Sequence, residues 1–257
     1  MSIEFKAVSR RFTTRTSDVL AVNEVSFAIA AHEVVSIIGP SGCGKSTLLN
    51  MGAGLDKPTS GTVWVDGKEV LGPNPQVAFM LQKDLLMPWR NILDNVLLGL
   101  ELRGADKSSS EKKALALMHK CRLAGFEKHY PHQLSGGMRQ RAALARTLAV
   151  DPDVLLMDEP FSALDAQTKM ILQQDLARTV MSEQKTMLFI THDLVEAVAL
   201  SDRILVMSER PGSIIANILV DIPERANPMQ RRQHPRVGAL VGELMQLLHL
   251  NEATALH

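Results

Sequence analysis

Three observations predict an α/β fold for this 257-residue chain. Short apolar runs of strand length alternate with longer segments of helical periodicity, the pattern of a sheet covered by helices. One run, residues 34–38 (Val-Val-Ser-Ile-Ile), passes through a glycine-rich turn into a helix-like run at 48–51. Another, residues 154–157 (Val-Leu-Leu-Met), delivers Asp158 and Glu159 at its carboxyl end, the edge where open α/β sheets hold their ligands. With 46 % hydrophobic residues the chain has the apolar content for a full core.

In chain order, residues 3–8 and 25–29 read as strands joined by a polar connection containing Arg10, Arg11, Phe12, Thr13, Thr14 and Arg15. Phe12 in that connection either stacks on a base or packs against its own sheet.

The turn after the next strand is Gly39-Pro40-Ser41-Gly42-Cys43-Gly44-Lys45-Ser46-Thr47, which fits G-x-x-x-x-G-K-[ST]. Gly39, Gly42 and Gly44 free the backbone for conformations closed to residues with a Cβ, so that successive N–H groups converge on phosphate oxygens. The helix that follows adds its positive dipole end. Lys45 is expected at the β- and γ-phosphates, the Ser46 hydroxyl on Mg²⁺ and Thr47 at the α-phosphate. A nucleoside triphosphate with magnesium is the predicted ligand. Cys43, beside a helix N-terminus and Lys45, has the surroundings that lower a thiol pKa, which predicts alkylation and protection by the bound nucleotide.

Turns at 58–61 and at Asp66-Gly67 bracket a strand at 62–65, and residues 77–81 form another that ends at Gln82. The Gln82 amide is either an ordinary strand end or a switchable ligand for Mg²⁺ or the attacking water. Residues 83–90 contain Leu85-Leu86-Met87-Pro88-Trp89, apolar yet broken by proline, which reads as a contact loop or as Trp89 buried in its own domain.

From Ile92 to about Arg146 the period is helical, with stripes at Leu93, Val96, Leu97, Leu100 and at Ala114, Leu115, Met118. A helical subdomain inserted at about 91–150 is expected, with residues 104–110 an exposed linker. Leu134-Ser135-Gly136-Gly137-Met138-Arg139-Gln140 then opens a helix with Ser135 as N-cap. The glycines leave that helix start open to a second anion, although a plain capped helix explains the residues equally.

At the 154–157 strand the adjacent carboxylates point to opposite faces. Asp158 is therefore expected in the magnesium shell and Glu159 towards the γ-phosphate, polarising water. Ser162-Ala163-Leu164-Asp165 leads into a helix to about Met181, then a strand at 186–190 and Thr191-His192-Asp193. His192, just beyond the sheet edge, either hydrogen-bonds a terminal phosphate or is structural. Strands at 203–207 and 214–221 finish the core. After Pro223 an arginine- and proline-rich stretch precedes an amphipathic helix with Val237, Leu240, Val241, Leu244 and Leu248 on its apolar face, which docks on the core or on a partner.

Composition narrows the classes. Lys+Arg and Asp+Glu are equal at 28 each, so no basic field gathers nucleic acid. No apolar run approaches the ~20 residues that span a bilayer, and the start lacks a secretory pattern. Two cysteines, Cys43 and Cys121, make no disulfide framework and are expected reduced.

The ordered set of phosphate loop, Gln82, Leu-Ser-Gly-Gly-Met-Arg-Gln, Asp158-Glu159-Pro160, Ser162-Ala163-Leu164-Asp165 and His192 resembles the ATPase subunit of ABC transporters, over about residues 1–222. The resemblance implies a P-loop NTPase core of RecA type with an antiparallel β region and the inserted helical subdomain, followed by a tail at 223–257. It implies ATP and Mg²⁺ as cofactors, and a homodimer in the ATP-bound state in which Ser135, Gly136 and Gly137 grip the γ-phosphate of ATP held by the partner. Glu159 is then the general base, His192 the γ-phosphate contact, Gln82 the magnesium sensor, Asp165 the link between the two sites, and Phe12 the adenine-stacking position.

Leu86-Met87-Pro88-Trp89, Asn91, Asp94-Asn95-Val96, Phe161 and Glu209-Arg210-Pro211-Gly212 resemble importer ATPases of the nitrate, taurine and aliphatic-sulfonate group. This implies transmembrane permease subunits as partners, a solute-binding protein indirectly, and a peripheral place at the cytoplasmic face of the inner membrane. Two departures stand out. His32 replaces the glycine usual before Glu33, tolerable because histidine accepts unusual backbone angles better than branched residues; Met80-Leu81 stands where relatives tend to have phenylalanine. The competing classes are a soluble ABC-type ATPase acting on nucleic acid or ribosomes, which generally needs a coiled-coil insert or two cassettes, and a phosphotransferase, which leaves Gly136, Gly137 and His192 unexplained.

Overall fold

The computed structural model describes residues 2–13 and 18–249. A six-stranded sheet has the order β10-β9-β3-β8-β7-β6, formed by β3 (Val34–Ile38), β6 (Val77–Met80), β7 (Val154–Asp158), β8 (Thr186–Ile190), β9 (Arg203–Met207) and β10 (Ile214–Leu219). All neighbours are parallel except the β10–β9 pair. Strands β3, β7 and β8 are buried along their whole length, which explains their unbroken apolar runs: a parallel sheet covered on both faces has no polar side to alternate with.

A four-stranded antiparallel sheet, β2-β1-β4-β5, comprises β1 (Ile3–Thr13), β2 (Asp18–Ile29), β4 (Ser60–Val65) and β5 (Lys68–Glu69). Its apolar face, including Phe5, Phe27 and Val63, packs with α1 (Lys45–Gly52) against Val35, Ile37, Leu156 and Leu188 of the large sheet. The opposite face of the large sheet, with Leu155, Met157 and Phe189, meets α2 (Ile92–Leu102), α3 (Lys107–Lys120), α4 (Gly136–Ala149) and α5 (Ala166–Ser182). A third cluster joins Ile204 and Val206 of β9 to α6 (Leu194–Leu200) and to α8 (Arg236–Leu247), which follows the short α7 (Pro228–Arg232). No helix among the described residues is long and apolar enough to cross a membrane.

Three expectations need correction. The N-terminal strands run far beyond 3–8 and 25–29, and Phe12 lies in β1 opposite Val19 rather than in a connection. The outer half of this hairpin is exposed, so no apolar alternation marks it; Arg10 paired with Asp56 and Arg11 with Asp18 hold it instead. Thr14 and Arg15 of that stretch lie outside the described residues.

The expected 104–110 linker is cut short because α3 starts at Lys107: the Asp106 carboxylate accepts the Ser109 N–H as a cap, and Ser110 is buried in the first turns. The strand expected at 214–221 ends at Leu219.

Two open choices are resolved. The α8 helix docks on the core, with Val237, Leu240 and Leu244 buried and Val241 and Leu248 packed at the edge. Trp89 is 72 % exposed, so its loop is not closed over a buried indole. His32 adopts φ 65°, the left-handed angle that the replaced glycine would take freely.

Candidate active site

Strand β3 ends at Ile38 and a turn with positive φ at Gly39, Gly42 and Gly44 leads into α1. Gly44, with φ 103°, is the turn's last residue, and a Cβ there would lie 2.6 Å from Val22 Cγ2 of the antiparallel sheet. Lys45 Nζ donates to the Gly39 and Pro40 carbonyls at 2.8 and 2.7 Å, which holds the ammonium over the loop.

A cleft of about 480 Å³ opens above this turn, lined by Phe12, Ser41, Gly42, Gly44, Lys45, Ser46, Thr47, Gln82, Asp158 and Glu159, with Arg210 at its side. Phe12, 39 % exposed, presents its ring with the Arg10 guanidinium over one side at 4.6 Å. The aromatic ring, backbone turn and ammonium match a nucleotide laid from base to phosphates.

The β7 end carries the acids. Asp158 is buried and accepts a hydrogen bond from Ser46. Burial raises its carboxyl above the usual range and the Glu159 charge adds to this, against the Ser46 hydrogen bond and Lys45. A buried carboxylate beside a hydroxyl and the Gln82 amide is an all-oxygen set suited to a hard divalent cation, which would relieve the desolvated charge.

Glu159 sits at φ 49°, a left-handed angle uncommon for a glutamate, and it is held there from both sides. Its N–H donates to Ile190 O at 3.0 Å and its carbonyl accepts from Gln140 Nε2 at 3.0 Å. The Glu159 Oε2 then lies 3.2 Å from Gln82 Nε2 and 3.6 Å from His192 Nδ1. His192 is mostly exposed, so its ring can reach outward from that carboxylate.

Other expected residues lie apart from this cleft. Ser135 caps α4 by accepting the Met138 N–H at 3.3 Å, with Ser135 and Gly136 exposed and Gly137 partly so, and none of the three lines the cleft. The Asp165 carboxylate caps α5 by accepting the Thr168 N–H at 3.0 Å and also stands outside it. The α1 start lines the cleft, whereas Gly136 at the α4 start lines a second pocket with Gln82, Arg139, Gln140 and Ala163.

Cys43 overturns the expectation of an alkylatable thiol. It is 1 % exposed, because its side chain points beneath the turn into the cluster with Ile37, Leu48 and Met207.

Two residues carry weight that the sequence reading did not assign. Gln140 clamps Glu159 and also accepts the Ala163 N–H at 2.9 Å; the only signal was its place in the Leu-Ser-Gly-Gly run. Arg210 donates from Nε to Gly42 O at 3.1 Å, and Gly212 behind it leaves no room for a side chain, since a Cβ would meet Cys43 O at 1.9 Å. The segment after β9 therefore braces the phosphate turn.

The family model described as ABC transporter matches residues 22–162. An uncharacterized ABC transporter ATP-binding protein of Methanocaldococcus jannaschii is 46 % identical over 86 % of this chain and 83 % of its own. The taurine import ATP-binding protein TauB of Burkholderia pseudomallei is 42 % identical over 93 % of this chain and 95 % of its own. Among solved structures, a dimeric ATP-binding cassette in a post-hydrolysis state with ADP and Pi superposes with a TM-score of 0.79 at 33 % identity, covering 86 % of this chain and 100 % of that one. A dimeric bacterial ABC transporter cassette gives 0.80 at 32 % identity over the same shares. The matched model spans more than half of the chain and includes the phosphate turn, Gln82 and both acids: the chain belongs to the ABC transporter family, as an ATP-binding subunit that hydrolyses ATP.

Proposed function

We propose that the chain powers import of a small anion of the nitrate, sulfonate or taurine kind through separate membrane permease subunits. The observation that carries the hydrolytic part is the placement of the Glu159 carboxylate between Gln82 and His192 at the rim of the phosphate cleft. The glutamate is a general base that takes a proton from water in line with the γ-phosphate, and His192 donates a hydrogen bond to that phosphate. Ser46, Asp158 and Gln82 would hold magnesium, which when bound would supply charge neutralisation for the transferring phosphate. Lys45 positions the same phosphates, and Phe12 stacks on adenine.

The outward-facing Ser135, Gly136 and Gly137 serve ATP on a second copy, giving a homodimer around two nucleotides, with Asp165 beside the junction. The dimeric state named for both structural neighbours supports this reading. The importer assignment is supported by relatives named for taurine import and by the exposed Trp89 loop. It places the chain at the cytoplasmic face of the membrane as a peripheral subunit, with a solute-binding protein acting on the permease rather than on this chain. Residues 1–222 form the ATPase domain, with the helical subdomain at about 91–150, and 223–257 form the tail; residues 250–257 of that tail lie outside the described residues.

The test is a pair of variants followed by ATP turnover and co-purification. Lys45→Ala is expected to lose hydrolysis, and Glu159→Gln to keep ATP binding while turning over at least ~10²-fold more slowly. Near-normal turnover in Glu159→Gln removes the base assignment. Purification from native membranes in mild detergent is expected to bring down a multi-span permease; a ribosomal or nucleic-acid partner would replace the importer reading.

A further inference from the structure

A run of polar side chains that the hydrolytic reading leaves unused connects the C-terminal segment to His192. Asp193, the next residue after His192, caps α6 by accepting the Glu196 N–H at 3.0 Å and also accepts from Lys169 Nζ of α5 at 2.8 Å. The same ammonium meets Glu196 Oε2 at 2.6 Å. Glu196 and Gln173 are both fully enclosed, and Gln173 Nε2 donates to Glu196 Oε2 at 2.8 Å. The other end of that amide, Oε1, accepts from Arg232 Nη2 of α7 at 2.7 Å.

The neighbouring Arg231, 1 % exposed, grips the far end of α6 by donating to the Ala199 and Ser201 carbonyls at 3.3 and 2.9 Å. The helix that carries His192's loop is therefore held at its start by Lys169 and at its end by Arg231. Well-packed apolar side chains would hold these helices without the desolvation that a buried Glu196 entails. What a glutamine amide and a shared ammonium add is direction: each bond fixes the angle of the next group.

We infer that α7 positions His192 through Arg232, Gln173, Glu196, Lys169 and Asp193, making Arg232 and Lys169 positioning residues for ATP hydrolysis. The inference rests on the proposed contact of His192 with the γ-phosphate. A histidine displaced by a fraction of an ångström loses hydrogen-bond geometry to the reacting phosphate while the cleft that binds ATP is untouched.

The test uses the full chain with Arg232→Met, Arg232→Lys, Gln173→Met, His192→Ala and the Arg232→Met/His192→Ala pair, with kcat and KM for ATP measured and Tm recorded. Arg232→Met is expected to lower kcat about tenfold with KM within about twofold. Gln173→Met, which cuts the run at its centre at nearly constant volume, is expected to reproduce that loss. Arg232→Lys, still able to donate to Gln173, recovers most of the rate, and in the His192→Ala background Arg232→Met adds no further loss. Unchanged kcat in Arg232→Met, no recovery in Arg232→Lys, or a full additional loss in the pair overturns the inference. If His192→Ala alone leaves kcat unchanged, the role of His192 fails and the inference falls with it.

Discussion

Glu159 shows how much a single position depends on residues distant in the chain. Its left-handed backbone angle is unfavourable for a glutamate, and Gln140 offsets that by bonding both Glu159 O and the Ala163 N–H from a buried place on α4. Gln140→Leu leaves the Ala163 N–H without its acceptor and the Glu159 carbonyl with Ser162 alone. It is expected to lower stability by about 1–3 kcal/mol in urea unfolding and to reduce ATP turnover more than ATP binding, because the carboxylate loses its aim while the phosphate turn stands. Cys43 responds oppositely to the expectation from its local sequence. Cys43 lies under the turn, and burial pushes the Cys121 thiol up to about 12, so both stay unreactive in the native chain. Iodoacetamide mass mapping is expected to label neither before denaturant and both after it, with or without MgATP.

Among elements, the loop after β6 is the clearest case of irregular backbone held firmly. Asn95, with no exposure, donates to the carbonyls of Met87, Arg90 and Asn91 and accepts the Met87 N–H at 2.7 Å. Arg146 donates to the Asp84 and Leu85 carbonyls from α4, and Arg139 pairs with Asp84 at 3.0 Å. A loop so anchored to two helices presents Trp89 in one place, which suits a docking contact rather than a flexible tip. Trp89→Asp is expected to reduce permease capture in a detergent pull-down while soluble ATP turnover stays unchanged; equal capture removes the docking role. At the other end of the chain, α8 rests on β9 and α6 through Leu244, which is fully enclosed. Leu244→Ala is expected to cost about 2–5 kcal/mol in thermal or urea unfolding.

For the whole molecule, the decisive feature is that two helix starts suited to anions line two different pockets of one chain. The phosphate turn has its own cleft; Gly136, next to the Ser135 cap, lines a second pocket that shares only Gln82 with that cleft. In the proposed homodimer a second copy supplies the counterpart, so Glu159→Gln with ATP and magnesium is expected to run as a dimer in size-exclusion chromatography, and the same variant with ADP as a monomer. A Gly137→Trp change in that background is expected to abolish the dimer, since a Cβ there already meets Ala163 O at 3.1 Å and a bulky ring would fill the exposed helix start. The large sheet, buried on both faces, is the frame that keeps the cleft, the acids and His192 at one edge.

The phosphate turn, both acids, the parallel strands and the cap at Ser135 were legible because each is local: a strand, a turn and a helix start are specified by neighbouring residues. Tertiary structure alone decided what depends on contacts between distant segments. The exposed outer half of the β1–β2 hairpin had no periodic signal and is held by pairing. The burial of Cys43, the brace from Arg210 and Gly212, the Gln140 clamp on Glu159 and the docking of α8 join residues far apart in sequence. Sequence specifies which groups the chain carries and where its local elements begin; which of those groups become partners is set by the packing of sheet and helices, where burial and hydrogen-bond satisfaction act across the whole fold.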